Sequence, residues 1–274
     1  MADDWRQDDT RRAKADLIDT TVPNAARVGD YLYGGRDNFE ADRKAARTLV
    51  AAAPILAAIV PAMRAFHRRV VRYLITEAGI RQFLDIGTRL AASGNTHEIA
   101  QGFVPECRIV YADNDPVVLA HARALTTSAP GGATSVIDGD VRAPGAIVAE
   151  ARTVLDFSRP VAVLLLFTLA HLDSAEAAGA VVSSLAGALP PGSHIAVYHL
   201  ASDLDPTLPA AFRQWNAMSP QPVTLRSHDE VAGLLAGLDP VPPGVVPITD
   251  WRPGPGDPAI DDVIPMWGVV ARKL

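Results

Sequence analysis

The strongest constraint on how this chain folds is a strand, a helix and a second strand within residues 82–116. The first apolar run ends in Asp85 and Gly87, and the second ends in Asp113, about 26 residues after Gly87. Glycine at a strand-to-helix turn lets the backbone approach a ligand, and a carboxylate after the next strand can accept hydrogen bonds from ribose hydroxyls. The spacing therefore predicts one βαβ unit that holds an adenosine-containing ligand.

The alternation of strands and helices continues to residue 199. We predict strands at 82–86, 108–112, 134–138, 161–166 and 193–199, and helices at 94–102, 116–125, 144–152 and 174–188. Such a series indicates an α/β fold with a mostly parallel sheet and a ligand above the carboxyl ends of its strands. Two last strands, 245–251 and 266–272, flank a segment too rich in Pro and Gly for a helix. We therefore expect them to pair antiparallel.

The chain before residue 80 predicts helices without strands. In our interpretation residues 1–20 form a flexible arm, residues 21–79 a helical cap, and residues 80–274 the sheet domain. Apolar residues recur every three or four positions after Pro54, which predicts a long helix that lies against the sheet.

A pair of glycines, Gly34 and Gly35, ends the first cap helix, and Asp37 and Glu40 have capping-box spacing for the second. Polar and phenolic side chains surround the two glycines and predict a lid over the ligand. They are Tyr31, Tyr33, Arg36, Asn38 and Asp42.

Composition favours a small-molecule partner. The chain has 31 acidic and 25 basic residues, a net charge of −6, which argues against nucleic-acid binding. A single cysteine, Cys107, and the absence of metal-ligand spacing among the histidines predict a cytoplasmic protein without a metal. The acidic start, and apolar runs broken by Pro54 and Pro61, predict neither a signal peptide nor a membrane span. The oligomeric state stays open, with a homodimer among the options.

Three local motifs narrow the identity of the ligand. Asp85-x-Gly87 resembles the first motif of class I S-adenosylmethionine (SAM) methyltransferases, in which an acid precedes the glycine turn. NAD-dependent oxidoreductases, the disfavoured alternative, use G-x-G-x-x-G without the acid because a pyrophosphate follows. SAM carries an ammonium group at this end, which a carboxylate attracts. Asp113-Asn114 resembles the second motif. Residues 137–141 resemble the third, which implies that Asp140 accepts from the adenine amino group.

Longer segments resemble a bacterial S-adenosyl methyltransferase family first described as a domain of unknown function. They are residues 23–43, 93–98 and 156–160, and the similarity runs from about residue 18 to the C terminus. The resemblance implies a Rossmann-like domain under a helical cap, with SAM as cofactor, S-adenosylhomocysteine (SAH) as product and a small-molecule acceptor, in keeping with secondary metabolism. The candidate cofactor-binding residues are Asp85, Gly87, Thr88, Ser93, Gly94, Asn95, Asp113, Asn114, Asp140, Val141, Tyr31, Gly34, Gly35 and Asn38.

Two histidines that follow strands are the candidate catalytic residues. His171 comes after strand 161–166 and His199 ends the next strand, and an imidazole pKa suits proton transfer near neutral pH. The first motif departs from the family in one respect, because Arg89 stands where a second glycine is usual. This departure leaves open a methyltransferase-like protein that transfers no methyl group, either a SAM-assisted cyclase or a SAM-binding regulator.

Overall fold

The computed structural model describes residues 19–88, 94–260 and 262–274. Residues 1–18 of the predicted arm, Arg89 and Ser93 lie outside the described residues. The strands are β1 (Gln82–Ile86), β2 (Arg108–Asp113), β3 (Ala133–Asp138), β4 (Ala162–Leu166), β5 (His194–Leu200), β6 (Asp239–Pro240), β7 (Val246–Pro247) and β8 (Met266–Arg272). The helices are α1 (Ala25–Leu32), α2 (Glu40–Ala52), α3 (Leu56–Thr76), α4 (Thr96–Phe103), α5 (Pro116–Leu125), α6 (Pro144–Ala151), α7 (Ala175–Ala188), α8 (Leu208–Met218) and α9 (His228–Gly233), with a 3-10 helix at Thr168–His171.

The strands form one sheet in the order β3-β2-β1-β4-β5-β8-β6, with β7 also paired to β8. Strands β1 to β5 run parallel, and β8 runs antiparallel to β5, β6 and β7. This arrangement confirms the predicted α/β sheet with an antiparallel end. The order reverses between β1 and β4, and open α/β sheets bind ligands at such a crevice.

The seventh strand is shorter than the predicted strand 245–251. It contains only Val246 and Pro247, because proline has no N–H to donate to the ladder. The Asp250 N–H then donates to the Pro247 carbonyl at 2.8 Å, in a turn that leads the chain away from β8.

Alternate side chains of the central strands enter two hydrophobic clusters, one on each face of the sheet. In β1, Phe83 packs into the first cluster, whereas Leu84 and Ile86 pack into the second. The first cluster also contains residues of α1, α2, α3 and α8. The predicted boundary at residue 79 therefore separates a helical region from the sheet domain, but the two regions share one hydrophobic core.

The second cap helix begins in a different way from the prediction. Helix α2 starts at Glu40, and the carboxylate of Asp42, not the predicted Asp37–Glu40 box, accepts from the Phe39 N–H at 2.8 Å. Asp37 instead faces helix α5, where its Oδ2 lies 3.3 Å from His121 Nδ1.

Asn24 joins the cap to the sheet domain. Its backbone N–H donates to Asp42 at 2.9 Å, and its Nδ2 donates to Asp115 at 2.8 Å. Asp115 also caps α5 by accepting from the Val117 N–H at 2.8 Å, and Arg27 forms a buried ion pair with Asp42 at 3.0 Å. These bonds hold the start of α1 over the end of β2.

Within the described ranges, no single helix is long and apolar enough to span a membrane. Helices α2 and α3 meet that test only together, and the chain bends by 102° between them.

Candidate active site

A cavity of about 380 Å³ lies between the carboxyl ends of the strands and the helical cap, within the usual size range of small-molecule sites. Loops after β1, β2, β3 and β4 form its floor. Helices α1, α2, α3 and α8, with residues 220–223, form its roof. The floor brings together seven predicted site residues: Gly87, Thr88, Asp113, Asn114, Asp140, Val141 and His171.

Gly87 turns the chain out of β1 at a position where a side chain would be strained. Its φ is +82°, and a Cβ there would clash with Oγ1 of Thr168, which donates to the Ile86 carbonyl at 2.5 Å. The next residue, Thr88, has a buried Oγ1 with no hydrogen-bond partner in the described part of the chain. A buried hydroxyl in a cavity wall costs stability unless it finds a partner, so a bound ligand could satisfy it.

Asp113 ends β2 as a half-buried carboxyl group in the cavity floor. Burial raises its pKa to about 7, and the nearby Asp115 adds to the shift, against an opposing hydrogen bond of 2.8 Å from the Asp115 N–H. A carboxyl group held near its pKa gains from any ligand that donates hydrogen bonds to its charged form.

Asp140 and Asn114 connect the loops after β3 and β2. Asn114 Nδ2 donates to Asp140 Oδ2 at 3.1 Å, and the Arg142 N–H donates to Asp140 Oδ1 at 2.8 Å. Arg142 also lines the cavity and donates through Nη2 to the His171 carbonyl at 3.0 Å. The two loops and the segment after β4 are thus held together at the floor.

His171 presents one ring nitrogen for chemistry. Its Nδ1 lies 3.2 Å from the Pro222 carbonyl, which can only accept, so Nδ1 carries the proton and Nε2 the lone pair. Burial lowers the pKa of His171, which keeps the ring neutral at pH 7. The ring packs edge-to-face against Phe167, with centroids 5.6 Å apart. Phe167 also lines the cavity and has a left-handed φ of +80°, a strained conformation of the kind that clusters at functional sites.

His199 lies outside the cavity wall, and its geometry argues against the catalytic role that the sequence suggested. The side chain is fully buried, with Nδ1 3.0 Å from the Leu200 carbonyl and Nε2 2.6 Å from Nη1 of Arg226. Burial lowers the pKa of His199 to about 4. Arg226 also donates to the carbonyls of Leu169, Leu172 and Ser174, each at 2.8 Å. We therefore assign His199 to the packing around Arg226.

Three other candidates from the first motif are not part of the cavity wall. Asp85 is buried and accepts from Thr96 Oγ1 at 2.6 Å. Gly94 has a φ of +75°, and Asn95 precedes α4, where its N–H donates to Glu98 at 2.9 Å. Gly94 and Asn95 thus shape the start of α4, and Ser93 lies outside the described residues.

Among the predicted lid residues, Asn38 lies with the two glycines around a carboxylate of the cap, whereas Tyr33 is part of the cavity wall. Asn38 Nδ2 donates to Asp30 Oδ2 at 2.8 Å, and a Cβ at Gly35 would clash with the same carboxylate. Gly34, with a φ of +77°, makes the turn between them. Tyr31 packs partly against the core of the cap. Asp30 itself lines the cavity, and so does Tyr33.

The sequence predicted a helical cap over the ligand, but not the side chains that form the roof of the cavity or the contribution of α8. The roof is mostly apolar and combines side chains that are far apart in the chain: Leu49 of α2, Ile59, Val60 and Met63 of α3, and Phe212 and Trp215 of α8. Trp215 is fixed by a hydrogen bond of 2.8 Å from Nε1 to the Gln221 carbonyl. Helical spacing in α3 and α8 was visible, but a buried stripe of this kind also describes an ordinary core helix.

Comparison with known proteins identifies the family. The model of the S-adenosyl methyltransferase family, Methyltransf_19, matches residues 11–274. The chain belongs to this family. It is a SAM-dependent methyltransferase, as its motifs predict, and SAM is its cofactor.

Two solved structures support this membership. A DUF574 family protein from Streptomyces avermitilis is 38% identical with a TM-score of 0.88, over 93% of this chain and 99% of that one. A protein from Thermobifida fusca, described as a candidate methyltransferase, is 36% identical with a TM-score of 0.85, over 93% and 96% of the two chains. An O-methyltransferase family protein from Burkholderia thailandensis shares the fold at 17% identity, with a TM-score of 0.52 over 98% and 69% of the chains. No curated protein matches the sequence.

The side chains of this methyltransferase fit SAM at the cavity floor. The Asp113 carboxyl group lines the floor and can accept hydrogen bonds, Gly87 leaves room beside the backbone, and the unsatisfied Thr88 hydroxyl offers a further polar contact. Among the described residues, no group of three or more His, Cys, Asp or Glu side chains could hold a metal ion.

Proposed function

We propose that this methyltransferase transfers the methyl group of SAM to a hydroxyl or amine of a small, largely apolar acceptor, with His171 as general base. The observation that carries the proposal is the division of one cavity into a polar floor, which ends in His171, and an apolar roof. Apolar walls with a few polar groups are typical of sites that recognise small organic molecules.

The floor residues would hold the cofactor. We propose that Asp113 accepts from the ribose hydroxyls, Asp140 and the Val141 amide meet the adenine, and Gly87 and Thr88 lie beside the chain that leads to the sulfur. When bound, SAM supplies a methyl group activated by its positive sulfur. Residues 21–79 would act as the cap over this site, completed by α8, whose residues share the same hydrophobic cluster.

His171 would act on the acceptor. Nε2 of His171 would take the O–H or N–H proton of the acceptor, which would gain the methyl carbon supplied by bound SAM, and the electrons of the carbon–sulfur bond would leave on sulfur in SAH. The hydrogen bond from Nδ1 to the Pro222 carbonyl fixes the tautomer that leaves Nε2 able to take the proton. The Phe167 ring holds the imidazole from the side. Methyl transfer depends mainly on such positioning, so few other side chains need to take part.

The setting that we propose is the cytoplasm, with an acceptor from secondary metabolism and no nucleic-acid or membrane partner. The net charge of −6 and the single buried cysteine support this setting. The alternative, a SAM-binding protein that transfers no methyl group, rests on Arg89, which lies outside the described residues.

An acceptor screen tests the proposal. Purified protein is incubated with SAM and two libraries, one of apolar phenols and aromatic amines and one of nucleosides and sugars, and release of SAH is measured. We expect turnover with members of the first library and loss of turnover in Asp113→Ala. Tight SAM binding without SAH release from any acceptor would instead favour the alternative.

A further inference from the structure

Arg64 of helix α3 carries a positive charge that no described residue neutralises. Its Nε is buried without a hydrogen-bond partner, and none of the ion pairs within the described ranges includes it. The guanidinium stacks over the ring of Tyr33, 4.6 Å from the ring centroid, and Tyr33 lines the cavity. Stacking covers the face of a guanidinium but leaves the N–H donors in its plane able to bond. A ligand group at this place would accept hydrogen bonds from these N–H donors.

Arg64 is not among the described residues that line the cavity, and its position on α3 places it beside the cavity wall. Val60, Arg64 and His67 follow one another at spacings of four and three residues, so they share one face of α3. Val60 lines the cavity. His67 Nε2 lies 2.8 Å from Thr96 Oγ1, which donates to Asp85 at 2.6 Å. Arg64 therefore lies between the cavity wall and the end of β1.

The strand order determines which part of SAM reaches this place, a step that rests on the proposed function. With adenine at Asp140 after β3 and ribose at Asp113 after β2, the amino-acid tail extends over the next strand, β1. That tail carries one ammonium and one carboxylate. The first motif assigns the ammonium to the end of β1, where Asp85 accepts from Thr96 Oγ1 at 2.6 Å, and the carboxylate needs a cation.

We propose that Arg64 binds the carboxylate of the SAM amino-acid tail. The planar guanidinium offers two parallel N–H donors to the two carboxylate oxygens, a geometry that a lysine cannot reproduce. The cap helix α3 thereby recognises the cofactor directly as well as forming the roof.

Calorimetry with two ligands tests this assignment without any acceptor. The ligands are SAH and its decarboxylated analogue, 5′-(3-aminopropylthio)-5′-deoxyadenosine, which keeps the ammonium and lacks only the carboxylate. In Arg64→Gln we expect the affinity for SAH to fall about 10- to 100-fold, the effect of losing a charged hydrogen-bonded pair. Affinity for the analogue should change less than about threefold. Arg68→Gln, on the exposed side of the same helix, is the matched control and should leave both affinities unchanged.

Each outcome has one meaning. An equal loss of affinity for both ligands in Arg64→Gln would show a general disturbance of the cap, and an unchanged SAH affinity would show that the carboxylate binds elsewhere; either overturns the assignment and leaves the methyltransferase proposal standing. A wild-type protein that binds neither ligand would overturn both. Arg64→Lys should recover only part of the SAH affinity, because it restores the charge without the paired donors.

Discussion

The floor and the roof of the cavity differ in their secondary structure and in the polarity of their side chains. The floor consists of loops that each end a strand, and its side chains are polar and joined by hydrogen bonds, such as Asn114 to Asp140. The roof consists of helix faces from the cap and from α8, and its side chains are mostly apolar. The floor therefore offers polar groups that suit a cofactor common to the whole family. The roof offers an apolar surface whose shape can select the acceptor. Their comparison indicates that the apolar roof recognises the acceptor, whereas the floor, with Arg64 beside the roof as we propose, recognises the cofactor.

The strongest test of this division between floor and roof is to remove the proposed base, His171, from the floor. In His171→Gln the side chain stays polar, but its amide nitrogen cannot take a proton as Nε2 of the imidazole can. We expect kcat with an acceptor from the screen to fall about 100- to 10,000-fold, with SAH affinity within about twofold of wild type. His228→Gln, outside the cavity wall, is the control. A normal kcat in His171→Gln would show that the acceptor needs no base from this residue.

Asp113 tests the cofactor side of the floor alone. Asp113→Ala removes the carboxylate that we propose accepts from the ribose hydroxyls, so SAH affinity measured by calorimetry should fall about 100-fold or more. Asp138, its neighbour on β3 in the sheet register, is exposed and does not line the cavity. Asp138→Ala should therefore bind SAH normally. If both variants bind as the wild type does, the ribose does not lie at the end of β2.

The pH dependence of SAH binding is a second test of the proposed role of Asp113. Burial raises the pKa of Asp113 to about 7 in the free protein, and ribose hydroxyls favour its charged form, so binding competes with a proton. Affinity should be constant above pH 7 and fall toward tenfold per pH unit below it. Calorimetry in two buffers of different ionisation enthalpy should show proton release near pH 6.5. Asp113→Asn should remove the dependence, and a slope that persists in this variant would assign the proton to another group.

A small change in the roof should act on the acceptor and not on the cofactor. Val60→Thr keeps the shape of the side chain and adds a hydroxyl to the apolar wall. We expect KM for an apolar acceptor to rise about threefold to tenfold, because a hydroxyl without a partner disfavours apolar contacts, while SAH affinity stays within about twofold. Steady-state kinetics and calorimetry on one preparation measure both. A matching loss of SAH affinity would mean that floor and roof do not act separately.

Sequence reasoning reached the floor because each motif is continuous in the chain. Asp85 to Gly87, Asp113 to Asn114, and Asp140 to Val141 each follow a strand, and parallel strands bring their carboxyl ends to one edge. Local patterns likewise predicted a mostly parallel sheet and most element bounds, but not the order of the strands. The site still differs in detail, since Asp85 lies behind Thr96 and not in the cavity wall.

The residues of the roof, and the difference between the surroundings of His171 and His199, could not be predicted in this way. Phe212 and Met63 line the same cavity only because α8 and α3 belong to one hydrophobic cluster over the sheet, which no local pattern encodes. His171 and His199 look alike in sequence, each near the end of a strand. The difference comes from Arg226, whose guanidinium lies 2.6 Å from His199 Nε2 and whose other bonds hold the segment around His171. A long-range hydrogen bond of this kind leaves no periodic signal.

The core shared by cap and sheet limits how such enzymes can exchange parts. Residues 21–79 are bound to the rest by Asn24 to Asp115, by the Ala25 N–H to Gln221 at 2.9 Å, and by the continuous hydrophobic cluster. A chimera that takes only those residues from a relative would join one half of the acceptor wall to a foreign half. To transfer acceptor preference between family members, a chimera should therefore exchange residues 208–223 together with residues 21–79. The two separate stretches of chain act as one unit.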